Sequence, residues 1–186
     1  MGCDPQKHHR RSIRLKGYDY SQAGAYFVSI CTHNRELWLE NVIYRQIIQR
    51  IWNELTNRYP QVRLDEFVIM PNHVHGIIWI IVGAIHESPL QKVQKQKPRS
   101  LLSKIIGHFK MNTAKQINIF RATPGVPLWQ RNYYEHIIRT EDELNRIREY
   151  IRNNPLRWEL DRENPDRTDV DEFDQWLYGE SAVSPG

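Results

Sequence analysis

His73 and His75 stand one residue apart inside the apolar run from Phe67 to Ile81. In a strand, side chains i and i+2 emerge on the same face, about 6.5 Å apart at Cα. Both imidazoles can then bind one divalent ion. The alternative is a pair of core or edge histidines satisfied by backbone groups, and spacing alone leaves the two readings level. A structural zinc site is the weakest reading, because no cysteines or third strong ligand lie near the pair.

A second group able to do chemistry is Tyr150, in the stretch 141–154 where Leu144, Ile147 and Ile151 form an apolar stripe. Tyr150 and Asn154 are one helical turn apart, about 40° from each other around the axis, and both flank that stripe. Alone they read as a boundary tyrosine with a wet hydroxyl and a helix-ending asparagine. A phenol with a pKa of about 10 is a weak nucleophile unless its target is polarised. A divalent ion on His73 and His75 would bind a scissile phosphate oxygen and align phosphorus with an attacking phenolate. The product would be a covalent phosphotyrosine and a free hydroxyl on the departing strand.

The elements that must position these groups follow from periodicity. Residues 25–32 read as a first strand and 43–58 as a helix, with its stripe on Ile43, Ile47, Ile51 and Leu55. Residues 62–70 and 73–82 are two strands separated only by Pro71-Asn72, hence a hairpin. Residues 86–99 form a basic loop, and 100–118 a second helix through Leu102, Ile105, Ile106 and Phe109. A strand over 133–139 leads into Thr140-Glu141-Asp142-Glu143, a capping box for a helix that ends before Pro155. The order β-α-β-β-α-β plus a helix predicts an α+β, ferredoxin-like antiparallel sheet with helices on one or both faces.

The charge is uneven. From Leu156 onward three arginines face nine acids, whereas the preceding residues carry 23 basic against 13 acidic side chains. A basic body suits a polyphosphate partner. We divide the chain into a basic arm, 1–16, a catalytic domain, 17–158, and an acidic tail, 159–186. The tail either solvates the protein or folds back over the basic surface, with Trp158, Phe173, Trp176 and Leu177 as anchors. No apolar run is long enough to span a bilayer and no signal peptide is evident, so the cytoplasm is expected. Cys3 and Cys31 build neither a disulfide framework nor a zinc knuckle.

Several segments, in consistent order over roughly residues 10–165, resemble a known family. They include Arg11-Ser12-Ile13-Arg14-Leu15, Cys31-Thr32-His33-Asn34-Arg35-Glu36, Met70-Pro71-Asn72-His73-Val74-His75, Phe109-Lys110, Leu128-Trp129-Gln130-Arg131-Asn132-Tyr133-Tyr134-Glu135-His136 and Tyr150-Ile151-Arg152-Asn153-Asn154-Pro155. His73-Val74-His75 is similar to the His-hydrophobic-His signature of HUH single-strand endonucleases. The whole resembles the REP-associated tyrosine transposases of bacteria. The resemblance implies Tyr150 as nucleophile and Asn154 as third metal ligand, where the broader class commonly has glutamine. It implies Mg²⁺ or Mn²⁺ as cofactor and hairpin-forming single-stranded DNA as substrate, on the bacterial nucleoid. His136 is expected to assist the leaving oxygen or orient Tyr150, or else to serve packing. Expected DNA contacts are Arg11, Arg14, Arg35, Lys110, Trp129 and Arg131. A homodimer and a monomer both remain open. The rival function is a non-catalytic module that binds structured single strands, as ferredoxin-like sheets with exposed aromatics do.

Overall fold

The computed structural model describes residues 23–81 and 100–179. Arg11 and Arg14 of the basic arm, and the basic loop 86–99, lie outside the described residues. Four strands, β1 (Gly24–Cys31), β2 (Val62–Ile69), β3 (His73–Ile80) and β4 (Tyr134–Ile138), form one antiparallel sheet ordered β2-β3-β1-β4. Helices α1 (Val42–Asn53), α2 (Leu55–Arg58) and α3 (Leu101–Phe120) precede β4, and α4 (Glu141–Asn153) and α5 (Glu172–Gly179) follow it. This is the expected α+β order. The helix expected over 43–58 is divided at Glu54, which caps the single turn of α2.

Both sheet faces are covered, which explains why β1 and β3 read as nearly continuous apolar runs rather than alternating ones. Tyr26, Val28 and Ile30 of β1 point toward α1 and α3, with Ile48, Trp52, Ile105, Ile106 and Phe109 as partners. Ala25 and Phe27 point the other way, against Leu144, Ile147, Tyr150 and Ile151 of α4. His73 and His75 share that second face with Ile77, by the same alternation. No helix among the described residues is long and apolar enough to cross a membrane.

Two backbone features set the site's geometry. At Gly76 a Cβ would lie 2.6 Å from two ring atoms of Trp52, so only glycine lets that indole lie against β3. The indole stacks on Phe67 with centroids 4.2 Å apart. In β2 the pairing register slips by one residue between Leu64 and Phe67, a β-bulge. Val62 and Leu64 face α1 and α3 before the slip, and Phe67 and Ile69 face them after it. Asp65 and Glu66, though adjacent, thereby both reach α4. Arg148 donates to Asp65 at 2.7 and 3.1 Å, and Arg152 donates through Nε to Glu66 at 2.8 Å. Trp79 Nε1 adds a bond to Asp65 at 3.0 Å. Burial pushes the Asp65 carboxyl up, but these hydrogen bonds outweigh it and hold the group below its usual range.

Candidate active site

The histidine pair is fully buried and its ring orientation is defined. His73 Nδ1 lies 2.8 Å from Asn72 Oδ1, and His75 Nδ1 lies 2.5 Å from Ser29 Oγ. The two Nε2 atoms converge at 2.9 Å. Burial holds both imidazoles well below the usual range, His73 down to about 3, so both are neutral at physiological pH. A neutral imidazole is the form that ligates a metal.

The nucleophile candidate is delivered by α4. Thr140 Oγ1 accepts from Glu143 N at 3.1 Å, the first half of the expected capping box. Glu143 Oε2 accepts from Arg139 N at 2.6 Å, and the Thr140 amide also hydrogen-bonds that carboxylate, completing the box. Leu144, Ile147 and Ile151 dock the helix on the sheet, with Tyr150 on one flank of that stripe and Arg148 and Arg152, held by the bulge, on the other. The Tyr150 hydroxyl ends 3.4 Å from His75 Nε2 and donates to Asp174 Oδ1 at 3.2 Å. Its ring lies flat on Phe173, centroids 4.1 Å apart, and edge-on to Phe27. The sequence places this tyrosine at a wet boundary. It is instead buried, because α5 packs over it.

That packing changes the reading of the chain's C-terminal stretch, for which the sequence suggests an acidic tail. Asn154–Leu160 forms 3₁₀ turns after α4, and the chain then folds back across the second sheet face. Phe173 and Leu177 are buried there, each contributing about 1.5–3 kcal/mol to docking. Asp161 Oδ2 comes to 3.5 Å from His73 Nε2. His73, His75 and Asp161 offer three ligand atoms all within 4.8 Å of one another. Asp161 Oδ2 and Asn154 Oδ1 are both buried without a hydrogen-bond partner. Two converging imidazole nitrogens and orphaned oxygens beside them fit a divalent cation. Burial pushes the Asp161 carboxyl up to about 6, against the pull of the Glu163 amide and the neighbouring Asn154 side chain. Burial likewise raises Asp174. Asp161 and Asp174 escape the sequence reading because each meets its partners only through long-range packing.

The other expected residues separate into distinct places. His136 Nε2 lies 2.6 Å from Glu143 Oε1, so its ring is tied to the start of α4. Trp129 is a core side chain, with Nε1 donating to Thr113 Oγ1 at 2.8 Å. Lys110 Nζ donates to the carbonyls of Gln130, Arg131 and Asn132 at 2.5, 3.0 and 3.5 Å, fastening the loop before β4. Burial pushes that ammonium down to about 8. Arg131 is exposed on the same loop. Arg35 sits in a turn where Asn34 and Arg35 both have left-handed backbones, φ 54° and 57°. Its Nε donates to Glu163 at 2.5 Å.

Residues 21–154 match the family model described as IS200-like transposase. An uncharacterized protein of Haemophilus influenzae is 44% identical over 173 residues, spanning 83% of this chain and 93% of its own length. A solved structure of a REP-associated tyrosine transposase bound to a REP hairpin has a similar fold. Its TM-score is 0.54 at 18% identity, over 77% of this chain and 72% of that one.

Proposed function

This chain belongs to the IS200-like transposase family, and from that premise we propose that it cleaves and rejoins hairpin-bearing single-stranded DNA through Tyr150. The observation that carries the reading is the placement of the Tyr150 hydroxyl 3.4 Å from His75 Nε2, at the edge of the His73–His75–Asp161 cluster. A nucleophile and a ligand set meet where one phosphate could touch both.

His73, His75 and Asp161 would hold Mn²⁺ or Mg²⁺, with Asn154 Oδ1 beside them as a further oxygen. Two imidazoles favour the transition ion over magnesium. When bound, the ion supplies Lewis acidity to a scissile phosphate oxygen. The chain does the rest. Tyr150 Oη gives up its proton as it attacks phosphorus, its bond to phosphorus forms as the bond to the departing oxygen breaks, and that oxygen takes up one proton and leaves as a hydroxyl. The phosphotyrosine conserves the energy of the broken ester, so a second strand end reverses the step without ATP. Phe173 and Asp174 orient the phenol before attack and must give way for the phosphate to reach it.

Hairpin DNA as the substrate is supported by the REP hairpin in the structural neighbour and by the excess of basic residues before Leu156. The test is incubation of the full chain with labelled hairpin oligonucleotides and Mn²⁺. A covalent protein–DNA band is expected from the wild type and none from Tyr150→Phe, which retains its fold and DNA binding. Equal adduct from both proteins would exclude Tyr150. Cleavage at an undiminished rate in EDTA would exclude the ion.

A further inference from the structure

The side chain of Asn72 is fully buried at the turn between β2 and β3, yet it bonds two distant segments as well as the neighbouring His73 ring. Its Nδ2 donates to Glu163 O at 2.7 Å and to Arg35 O at 3.3 Å. Two carbonyls can only accept, so the amide nitrogen must face them and Oδ1 must face His73 Nδ1. Oδ1 has no hydrogen to give, so the proton of that bond belongs to His73 Nδ1. The Nε2 lone pair of His73 is thereby left pointing into the cluster.

His75 is held differently. Its Nδ1 meets the Ser29 hydroxyl, which can donate or accept. With no ion bound, Ser29 donates to His75 Nδ1, and His75 Nε2–H donates to the His73 Nε2 lone pair across 2.9 Å. Every ring nitrogen of the pair is then satisfied. With an ion bound, His75 must present Nε2 without its hydrogen, and a proton on Nδ1 is accepted by Ser29 Oγ. One proton leaves Nε2 and one arrives at Nδ1, with no change in charge.

We infer that Asn72 is a positioning residue that locks His73 in the Nδ1–H tautomer, while Ser29 allows His75 to exchange tautomers as the site fills. The inference rests on reading His73 and His75 as metal ligands. An asparagine serving only its turn would bond its own neighbouring backbone. Asn72 instead reaches Arg35, whose carbonyl is aimed by a left-handed backbone, and Glu163, two residues beyond Asp161. The amide that orients the first histidine thus also anchors the segment bearing the third ligand. Outer groups of this kind govern metal affinity by about 10–100-fold.

The test is ¹⁵N NMR of the imidazole nitrogens in the full-length protein at neutral pH, first in EDTA and then with Zn²⁺ as a diamagnetic probe. His73 is expected to carry its proton on Nδ1 under both conditions. His75 is expected to carry it on Nε2 in EDTA and on Nδ1 with Zn²⁺. A His73 Nε2–H tautomer in the wild type, or a His75 tautomer unchanged by Zn²⁺, overturns the proposal. Asn72→Ala should give mixed His73 tautomers and a Mn²⁺ affinity lowered about 10–100-fold by titration. A folded Asn72→Ala protein with wild-type tautomer and affinity also overturns it. The wild-type spectra decide the matter if that variant does not fold. Absence of a covalent DNA adduct from a protein with these tautomers would count against the transposition chemistry and leave the role of Asn72 standing.

Discussion

The hydroxyl of Tyr150 donates to the carboxylate of Asp174 at 3.2 Å, and both side chains are buried. The proposed nucleophile is therefore covered by the same C-terminal segment that brings Asp161 to the histidines. Cover and Asp161 lie on one segment, so a truncation ahead of Asp161 removes both.

Truncation after Trp158 deletes two arginines and nine acids, Asp161 among them. Affinity for a hairpin oligonucleotide should rise at low salt and change little at high salt, where the lost charge is screened. The covalent adduct should nevertheless fall at fixed Mn²⁺, because the ligand set is incomplete. Paired binding and adduct assays at two salt concentrations check this. An adduct yield as high as the full chain's would reduce the segment to cover alone.

Asp65→Asn should weaken the hold on α4. The carboxylate takes two hydrogen bonds from Arg148 and one from Trp79, and the pair is mostly buried. Charged hydrogen bonds of this kind are worth about 1.5–3 kcal/mol, so urea unfolding should report a loss of about 2 kcal/mol. The rate of adduct formation should drop further than DNA binding does, since the helix carries Tyr150.

Gly76→Ala places a methyl 2.6 Å from the Trp52 ring. Overpacking of this sort costs about 1–3 kcal/mol. Thermal unfolding should show the loss, and Trp52→Leu in the same chain should recover part of it by vacating the ring's place.

Acid stability carries a signature of the buried histidines. His73 is held near 3 in the folded chain and returns to about 6.5 on unfolding, so below about 6.5 the unfolded state binds the extra proton. Its contribution is complete above that pH and declines as pH falls toward the folded value. In EDTA, the stability advantage of wild type over His73→Gln should shrink by about 1.4 kcal/mol per pH unit between pH 6 and 4. Asp161 and Asp174, raised by burial, act with the opposite sign, and both remain in the two proteins compared. A pH-independent difference between the two would mean that His73 titrates normally in the folded chain.

Local pattern was enough to read the order of elements along the chain, the paired histidines and the helix that carries Tyr150, because each depends on residues within a turn or two. Composition left open what packing decides. The segment after Leu156 could be a solvated tail or a docked one, and Phe173 and Leu177, two of the anchors named from the sequence, dock it, with Asp161, Glu163, Asp171 and Asp174 buried alongside. Trp129 shows the converse. It lies in a segment that resembles a DNA-binding family, but Thr113 on α3 supplies a core partner for its N–H. The bulge in β2 was in principle legible. Its core residues change from even to odd numbers between Leu64 and Phe67, around two adjacent acids.

That change of parity has a consequence for length variation. Removing one residue from Asp65-Glu66 would restore unbroken alternation, with Val62, Leu64, Phe67 and Ile69 still facing α1 and α3 and the pairing with β3 regular throughout. What would go is one of two adjacent carboxylates, and with it the grip on Arg148 or on Arg152. A single-residue deletion there would spare the core layer and be felt on the α4 side of the sheet.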